Sequence, residues 1–240
     1  MKSYLSFGGG VNSVAMLLML HEQKQDFEAV FVNHGTDWPE TYEYLEMLQG
    51  WLEKKGLPQI TILKPNVDGV DNLYDKCWKR GMVPCIYPRW CTTDFKIKPL
   101  RLYQKTPAFV LIGFSTDEKK RARISVDSGI ENRFPLLENE ISRDGCKEII
   151  RKAGLPIPMK SGCFICPFQR PDQWKKLRRL HPDLFCKAEQ LEKRHMEVRA
   201  LKGKSPLYLN PKGVPLSAIV NEKQSKLWVA DEYPPCNCML

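Results

Sequence analysis

The sequence predicts an α/β fold: a doubly wound, mainly parallel sheet followed by a helical, cysteine-containing C-terminal extension. Three observations predict it. Short apolar strands alternate with helical apolar spacing through the first half of the chain. Glycine-bearing turns follow the first two strands. From about Ser142 the character changes to helices, a Cys-rich loop and basic stretches.

Tyr4 to Phe7 reads as a buried strand that runs into Gly8-Gly9-Gly10, after which Val14, Leu17, Leu18 and His21 share one helical face. Ala29 to Asn33 forms a second strand, Pro39 suits the first turn of a helix, and Tyr42 to Leu52 continues that helix. Gln59 to Leu63 and Phe109 to Gly113 supply a third and a fourth strand. In such sheets ligands bind beyond the carboxyl ends of the strands, where the turns after Phe7 and after Asn33 fall. The organisation is read as residues 1–140, a nucleotide-binding α/β domain, and 141–240, a helical region packed on it. From Gly203 onward, repeated prolines indicate irregular structure.

The 240 residues suffice for one sizeable core with a small addition. An excess of 37 Lys and Arg over 28 Asp and Glu, a formal +9, suits polyanionic partners better than acidic ones. No apolar run reaches the roughly 20 residues of a membrane span, and the N-terminal apolar stretch is too broken for a signal peptide, so a cytoplasmic protein with no membrane association is expected. In that setting nine cysteines point to metal or redox chemistry rather than a disulfide framework.

Between strand and helix, Ser6-Phe7-Gly8-Gly9-Gly10-Val11-Asn12-Ser13 lets backbone N–H groups converge on a phosphate at a helix N-terminus. It has neither Walker nor dinucleotide-fingerprint spacing. It resembles the pyrophosphate loop, S-G-G-x-D-S, of the adenine-nucleotide alpha-hydrolase superfamily, with Asn12 in place of the usual Asp. The resemblance continues through Phe31-Val32-Asn33-His34-Gly35-Thr36-Asp37-Trp38-Pro39-Glu40-Thr41, similar to phosphoadenylylsulfate reductase-like members. It continues again at Arg89-Trp90-Cys91-Thr92-Thr93-Asp94-Phe95-Lys96, and at Gly113 with Asp117-Glu118 and Arg121. The resemblance implies ATP bound with Mg2+ at Ser6, Phe7, Gly8, Gly9, Gly10, Asn12, Ser13, Asn33, Gly35 and Gly113. Asn12, Ser13, Lys96 and Arg121 would be the catalytic side chains. It also implies attack of a substrate oxygen on the α-phosphate, giving an adenylate and pyrophosphate. Asn12 can cap the helix but, being neutral, is a poorer magnesium ligand. Lys98 reads as solvated surface charge, and His34 as a satisfied loop histidine outside the chemistry.

Cys163-Phe164-Ile165-Cys166 is a C-x-x-C turn able to turn two thiolates on one metal or cluster. The cluster-bearing reductases carry Cys-Cys where this chain has Cys91-Thr92, so the resemblance implies three ligands, Cys91, Cys163 and Cys166. The fourth position is then open or filled by Cys85, Cys146 or Cys186. A 4Fe–4S iron–sulfur cluster and Zn2+ both suit such ligands, and the metal, with Arg89 and Lys96 nearby, is expected to stabilise the thiolates. Cys77 reads as structural, while Cys236 and Cys238 form a C-x-C near the end.

The reductases' Glu-Cys-Gly-Leu-His tail is absent, and the end reads Pro234-Pro235-Cys236-Asn237-Cys238-Met239-Leu240. The expected function is therefore that of an ATP pyrophosphatase supporting sulfur transfer, resembling the sulfurtransferases of DNA phosphorothioation and tRNA thiolation. A nucleic-acid partner, a sulfur donor such as a cysteine desulfurase, and a homo-oligomer go with that expectation. Basic helices between Trp174 and Lys204 would contact phosphates, or simply form solvated faces. Two alternatives stand: a sulfonucleotide reductase-like enzyme, and a nucleotide-binding regulator that has lost turnover.

Overall fold

The computed structural model describes residues 1–123, 125 and 127–221, so the Cys236–Cys238 pair lies outside the described residues. Five parallel strands form one sheet: β1 (Lys2–Phe7), β2 (Glu28–Val32), β3 (Thr61–Leu63), β4 (Ala108–Leu111) and β5 (Ile130–Arg133), in the order β3-β2-β1-β4-β5. The chain winds outward from β1 to β3 on one side and then crosses to β4 and β5 on the other. The loops after β1 and β4 therefore part at a topological switch point, where such sheets open a ligand crevice. Tyr4 pairs with Glu28 on one side and Val110 on the other, in register.

Helix α1 (Val11–Glu22) follows the glycine turn, and its residues Val11 to Leu20 are all buried. Leu17 and Leu20 share a core with Phe7 and Phe31 of the sheet, Leu48 and Leu52 of α2 (Pro39–Lys54), and Cys146 and Ile150 of α7 (Arg143–Lys152). Helix α7, which follows the boundary drawn at residue 140, thus packs against α1. A second core joins Trp38, Cys77 of α3 (Leu73–Arg80), Trp174 of α8 (Pro171–Leu180), Phe185 of α9 (Pro182–Leu201) and Ile219 of α10 (Leu216–Asn221). Two short helices, α4 (Trp90–Thr92) and α5 (Lys98–Tyr103), flank a π-helical turn over Thr93–Ile97; α6 spans Pro135–Glu138.

Two elements depart from the sequence expectation. Strand β5 was not anticipated, because Ile130-Glu131-Asn132-Arg133 buries only Ile130 and owes its strand state to pairing with β4. Within the segment expected to be irregular, α10 forms because Leu216 and Ile219 are buried and the Glu192 carboxylate accepts from the backbone N–H groups of Leu209 and Leu216, each at 2.9 Å.

Candidate functional site

Three cavities meet at the carboxyl ends of β1, β2 and β4. The first, of about 70 Å³, is a phosphate-sized space beside the glycine turn, walled by Gly8, Gly10, Asn12, Ser13 and Gly113. The turn is tight for steric reasons. Gly9 takes a left-handed φ of 70°, and a Cβ there would sit 2.8 Å from the Thr41 methyl. A Cβ on Gly113 would come within 3.3 Å of the Asn12 backbone, so Gly113 lets the two switch-point loops touch while Gly9 lets the turn close on α2. The Ser13 hydroxyl donates to Gly10 O at 2.9 Å and accepts from Gly10 N at 3.1 Å, fixing the first turn of α1 against the loop.

Lys96 and Arg121 line the same cavity, as does Glu118, a residue of the same motif to which the sequence assigned no role, and so do two side chains that sequence reasoning missed: Arg143 and Lys160. Glu118 is buried and ion-paired to Arg121, whose guanidinium lies 4.6 Å from the centre of the Phe114 ring. Burial pushes the Glu118 carboxyl up, opposed by Arg121 and Arg143. Asn12 Nδ2 donates to Glu118 Oε2 at 2.6 Å and to Gly113 O at 3.1 Å, while its Oδ1 is buried without a hydrogen-bond partner. Nδ2 of Asn12 is therefore a committed donor, and the oxygen left to meet a cation is a neutral amide Oδ1, a weaker magnesium ligand than a carboxylate.

The second cavity is apolar, about 640 Å³, and is walled by Ser6, Phe7, Val30, Val32, Ile112 and Phe134 among others. Phe114 and Phe134 stack at 5.8 Å and 10° beside it, and an Arg101–Asp127 ion pair at 2.8 Å stands on its wall. An apolar slot continuous with a cationic phosphate space suits an adenosine nucleotide.

Asn33 and Gly35 are elsewhere. Asn33 Oδ1 accepts from Gly35 N at 2.9 Å and from the Tyr42 hydroxyl at 3.1 Å, and Gly35, at φ 75°, abuts the Asn72 side chain. They shape the turn after β2 and face neither nucleotide cavity.

That turn instead builds the third cavity. Backbone hydrogen bonds from Trp38 N to Gly162 O (3.0 Å) and Phe164 N to Thr36 O (2.8 Å) stitch it to the C-x-x-C turn, which Cys166 N closes on Cys163 O at 3.0 Å. Cys91, on α4, completes a cavity of about 30 Å³ walled also by His34, Arg89 and Lys96. The three cysteines read from sequence thus share one space. Cys85 does not line it; burial, and after it Cys91 nearby, pushes the Cys85 thiol up. Cys146 is buried between α1 and α7, and Cys186 is exposed on α9 beside Gln190, so neither reaches the cavity. Cys77 is buried in the second core, as a structural cysteine would be.

Without a metal, desolvation pushes Cys91 up, Cys166 to about 11 and Cys163 well above the ordinary thiol value; Lys96 and Arg89 offset part of this at Cys91, and Lys96 and Lys160 part of it at Cys166. Cys163 Sγ donates to Thr36 Oγ1 at 3.0 Å, and Thr36 Oγ1 lies 2.7 Å from His34 Nδ1. Burial lowers His34 to about 4, so it is neutral at physiological pH. Among the described residues no three His, Cys, Asp or Glu side chains are set to hold a single metal ion.

Lys96 borders all three cavities, whereas Lys98 points away and pairs with Asp94 at 2.6 Å. Lys96 sits in the π-helical turn over Thr93–Ile97, a conformation frequent at functional sites.

Against known proteins, the model of the phosphoadenosine phosphosulfate reductase domain family matches residues 2–137. The chain belongs to that family. The likeness of its glycine loop to the adenine-nucleotide alpha-hydrolase superfamily agrees with this membership, which supports a nucleotide-binding, sulfur-related enzyme. An uncharacterized protein of Methanocaldococcus jannaschii is 24% identical over 253 residues, covering 92% of this chain and 56% of that protein. The chain therefore spans about half the length of the curated relative it matches. In fold it is similar to the phosphoadenylyl-sulfate reductase of Candida auris, solved as a phosphate complex, at 20% identity and a TM-score of 0.50 over 66% of this chain and 75% of that one. The U34-tRNA thiolase of Methanococcus maripaludis, solved with its 4Fe–4S cluster, aligns at 16% identity and a TM-score of 0.41 over 81% of this chain and 72% of that one. No helix among the described residues is long and apolar enough to cross a membrane.

Proposed function

We propose that this chain is an ATP pyrophosphatase that adenylates a nucleic-acid oxygen and supports sulfur transfer to it, as in phosphorothioation or thiolation. The observation that carries the reading is Lys96, one ammonium shared by the phosphate space, the adenosine slot and the three-cysteine cavity. A nucleotide seated on the glycine loop would have its phosphates next to the thiols.

The substrate oxygen attacks the α-phosphorus, the bond to pyrophosphate breaks, and sulfur then displaces AMP. For the first step the chain supplies position and charge. Backbone N–H groups of the Gly8–Gly10 loop and the N-terminus of α1 hold phosphate oxygens, and Lys96 and Arg121 neutralise charge on the leaving pyrophosphate. No step is derived through Mg2+, to which position 12 offers a neutral amide oxygen in place of a carboxylate.

Cys91, Cys163 and Cys166 would hold an iron–sulfur cluster. An all-sulfur donor set around one cavity suits an iron–sulfur cluster, with Zn2+ the alternative such thiolates also bind. Such a cluster, when bound, supplies an open iron from which sulfur can be delivered. Because burial keeps the empty-site thiols protonated, loading must release protons. A cysteine desulfurase suits the role of sulfur donor. The exposed cations Arg178, Arg179, Lys187 and Lys193 on α8 and α9 support nucleic-acid contact through phosphates.

The test is anaerobic incubation with ATP, sulfide and candidate nucleic acids, reading pyrophosphate and thiolated product together. Lys96→Ala should abolish both, and absence of pyrophosphate release from the wild type would contradict the reading. Family membership favours a second reading, a sulfonucleotide reductase, which predicts sulfite from a sulfonucleotide and a dithiol reductant with no ATP consumed. The neutral Asn12 favours a third, a regulator that binds ATP and releases no pyrophosphate.

A further inference from the structure

Resting on the reading that nucleotide phosphates occupy the cavity beside the glycine loop, we infer that Arg143 and Lys160 complete a four-cation clamp with Lys96 and Arg121. This clamp binds those phosphates without a divalent ion. Both added residues lie beyond the family domain, which ends at residue 137, so this chain's C-terminal half supplies part of its nucleotide site.

The charges on the cavity wall argue for it. Four cationic side chains face two acidic ones, Asp37 and Glu118. Both Glu118 oxygens are used, Oε1 by Arg121 and Oε2 by Asn12 Nδ2 at 2.6 Å. Asp37 lies 3.3 Å from His34 Nε2. Among the described residues Lys96 and Arg143 form no ion pair, and Arg143 Nε is buried without a hydrogen-bond partner. Burial pulls the Lys160 ammonium down to about 8, with Cys166 opposing the shift and Arg170 and Arg143 adding to it.

Such a site repels a divalent cation and is completed by an anion. Lys96 and Arg143, partly desolvated and without an ion pair among the described residues, are costly to leave so, whereas guanidinium and ammonium groups hold phosphate oxygens through charge-assisted hydrogen bonds. An Asp at position 12 would set a second carboxylate against Glu118 and call for a cation between them. Asn12 turns that contact into a hydrogen bond and removes the call.

The experiment is calorimetric titration of the full chain with the α,β-methylene analogue of ATP, once in EDTA and once in excess Mg2+. The wild type should bind with the same affinity in both. Arg143→Ala and Lys160→Met, checked for folding by circular dichroism, should each weaken binding in EDTA by about 10- to 100-fold, with Arg143→Lys recovering part of the loss. Asn12→Asp should lose binding in EDTA and regain it with Mg2+, an exchange of metal dependence that a merely structural role would not produce. Wild-type binding that requires Mg2+ would overturn the clamp while leaving the nucleotide site standing. Wild-type affinity in EDTA for both Arg143→Ala and Lys160→Met would also overturn it. Absence of binding in either buffer would overturn the nucleotide reading and the clamp with it.

Discussion

His34 and Lys96 show how much a single side chain sets in this site. His34 is buried beside the thiol cavity with its pKa near 4, against 6.5 for the exposed group. Its folded-state value lies below its unfolded one, so between those values the unfolded chain binds the proton that the native chain refuses. Stability from this group is complete above the unfolded value and is lost as pH falls toward 4. From about pH 7 to about pH 5 the loss amounts to about 2 kcal/mol. Urea unfolding in chelator should show that slope in the wild type and a flatter one in His34→Asn; equal slopes would remove His34 from the account. Lys96 was legible in sequence as a motif residue, but its place on three cavities was not, because that follows from how the surrounding loops pack and leaves no sequence mark. Arg143 and Lys160 were illegible for another reason: a basic residue brought to a cavity by tertiary packing looks, in sequence, like any solvated charge.

The elements differ in how their stability is secured, and that separates what could be read from what could not. β1, its glycine turn and α1 were legible because an apolar strand, a left-handed glycine and a helical apolar face are all local signals. Replacing Gly9 with Val imposes a left-handed φ on a β-branched residue and drives its Cβ against Thr41, at a cost of about 1–3 kcal/mol. Phosphate binding should vanish with it, and a Gly9→Val protein that binds ATP normally would contradict the role of the turn. β5 and α10 escaped notice because their support is distant: β4 for one, the Glu192 carboxylate for the other. Glu192→Ala strands two buried N–H groups and should destabilise the chain by about 2–4 kcal/mol. Hydrogen exchange should then speed up at the Leu209 and Leu216 amides first, and unchanged protection there would show that the carboxylate does not hold α10 in place.

At the scale of the molecule, the sheet presents its switch point to the nucleotide while the second core presents the C-x-x-C turn, and the loop after β2 ties the two together through Thr36, Asp37 and Trp38. The shared cavity of Cys91, Cys163 and Cys166 follows from that stitching and was legible from motif resemblance alone. The choice among Cys85, Cys146 and Cys186 was not, since it depends on which core each helix enters. The central claim is that these thiols hold an iron–sulfur centre beside the nucleotide. The measurement that tests it most directly is iron, acid-labile sulfide and zinc determination on protein purified without oxygen, alongside the Cys91→Ser, Cys163→Ser and Cys166→Ser variants. The account predicts about four iron and four sulfide per wild-type chain, lost in each variant while ATP-analogue binding persists. Stoichiometric zinc without iron, or iron undiminished in all three variants, would contradict it.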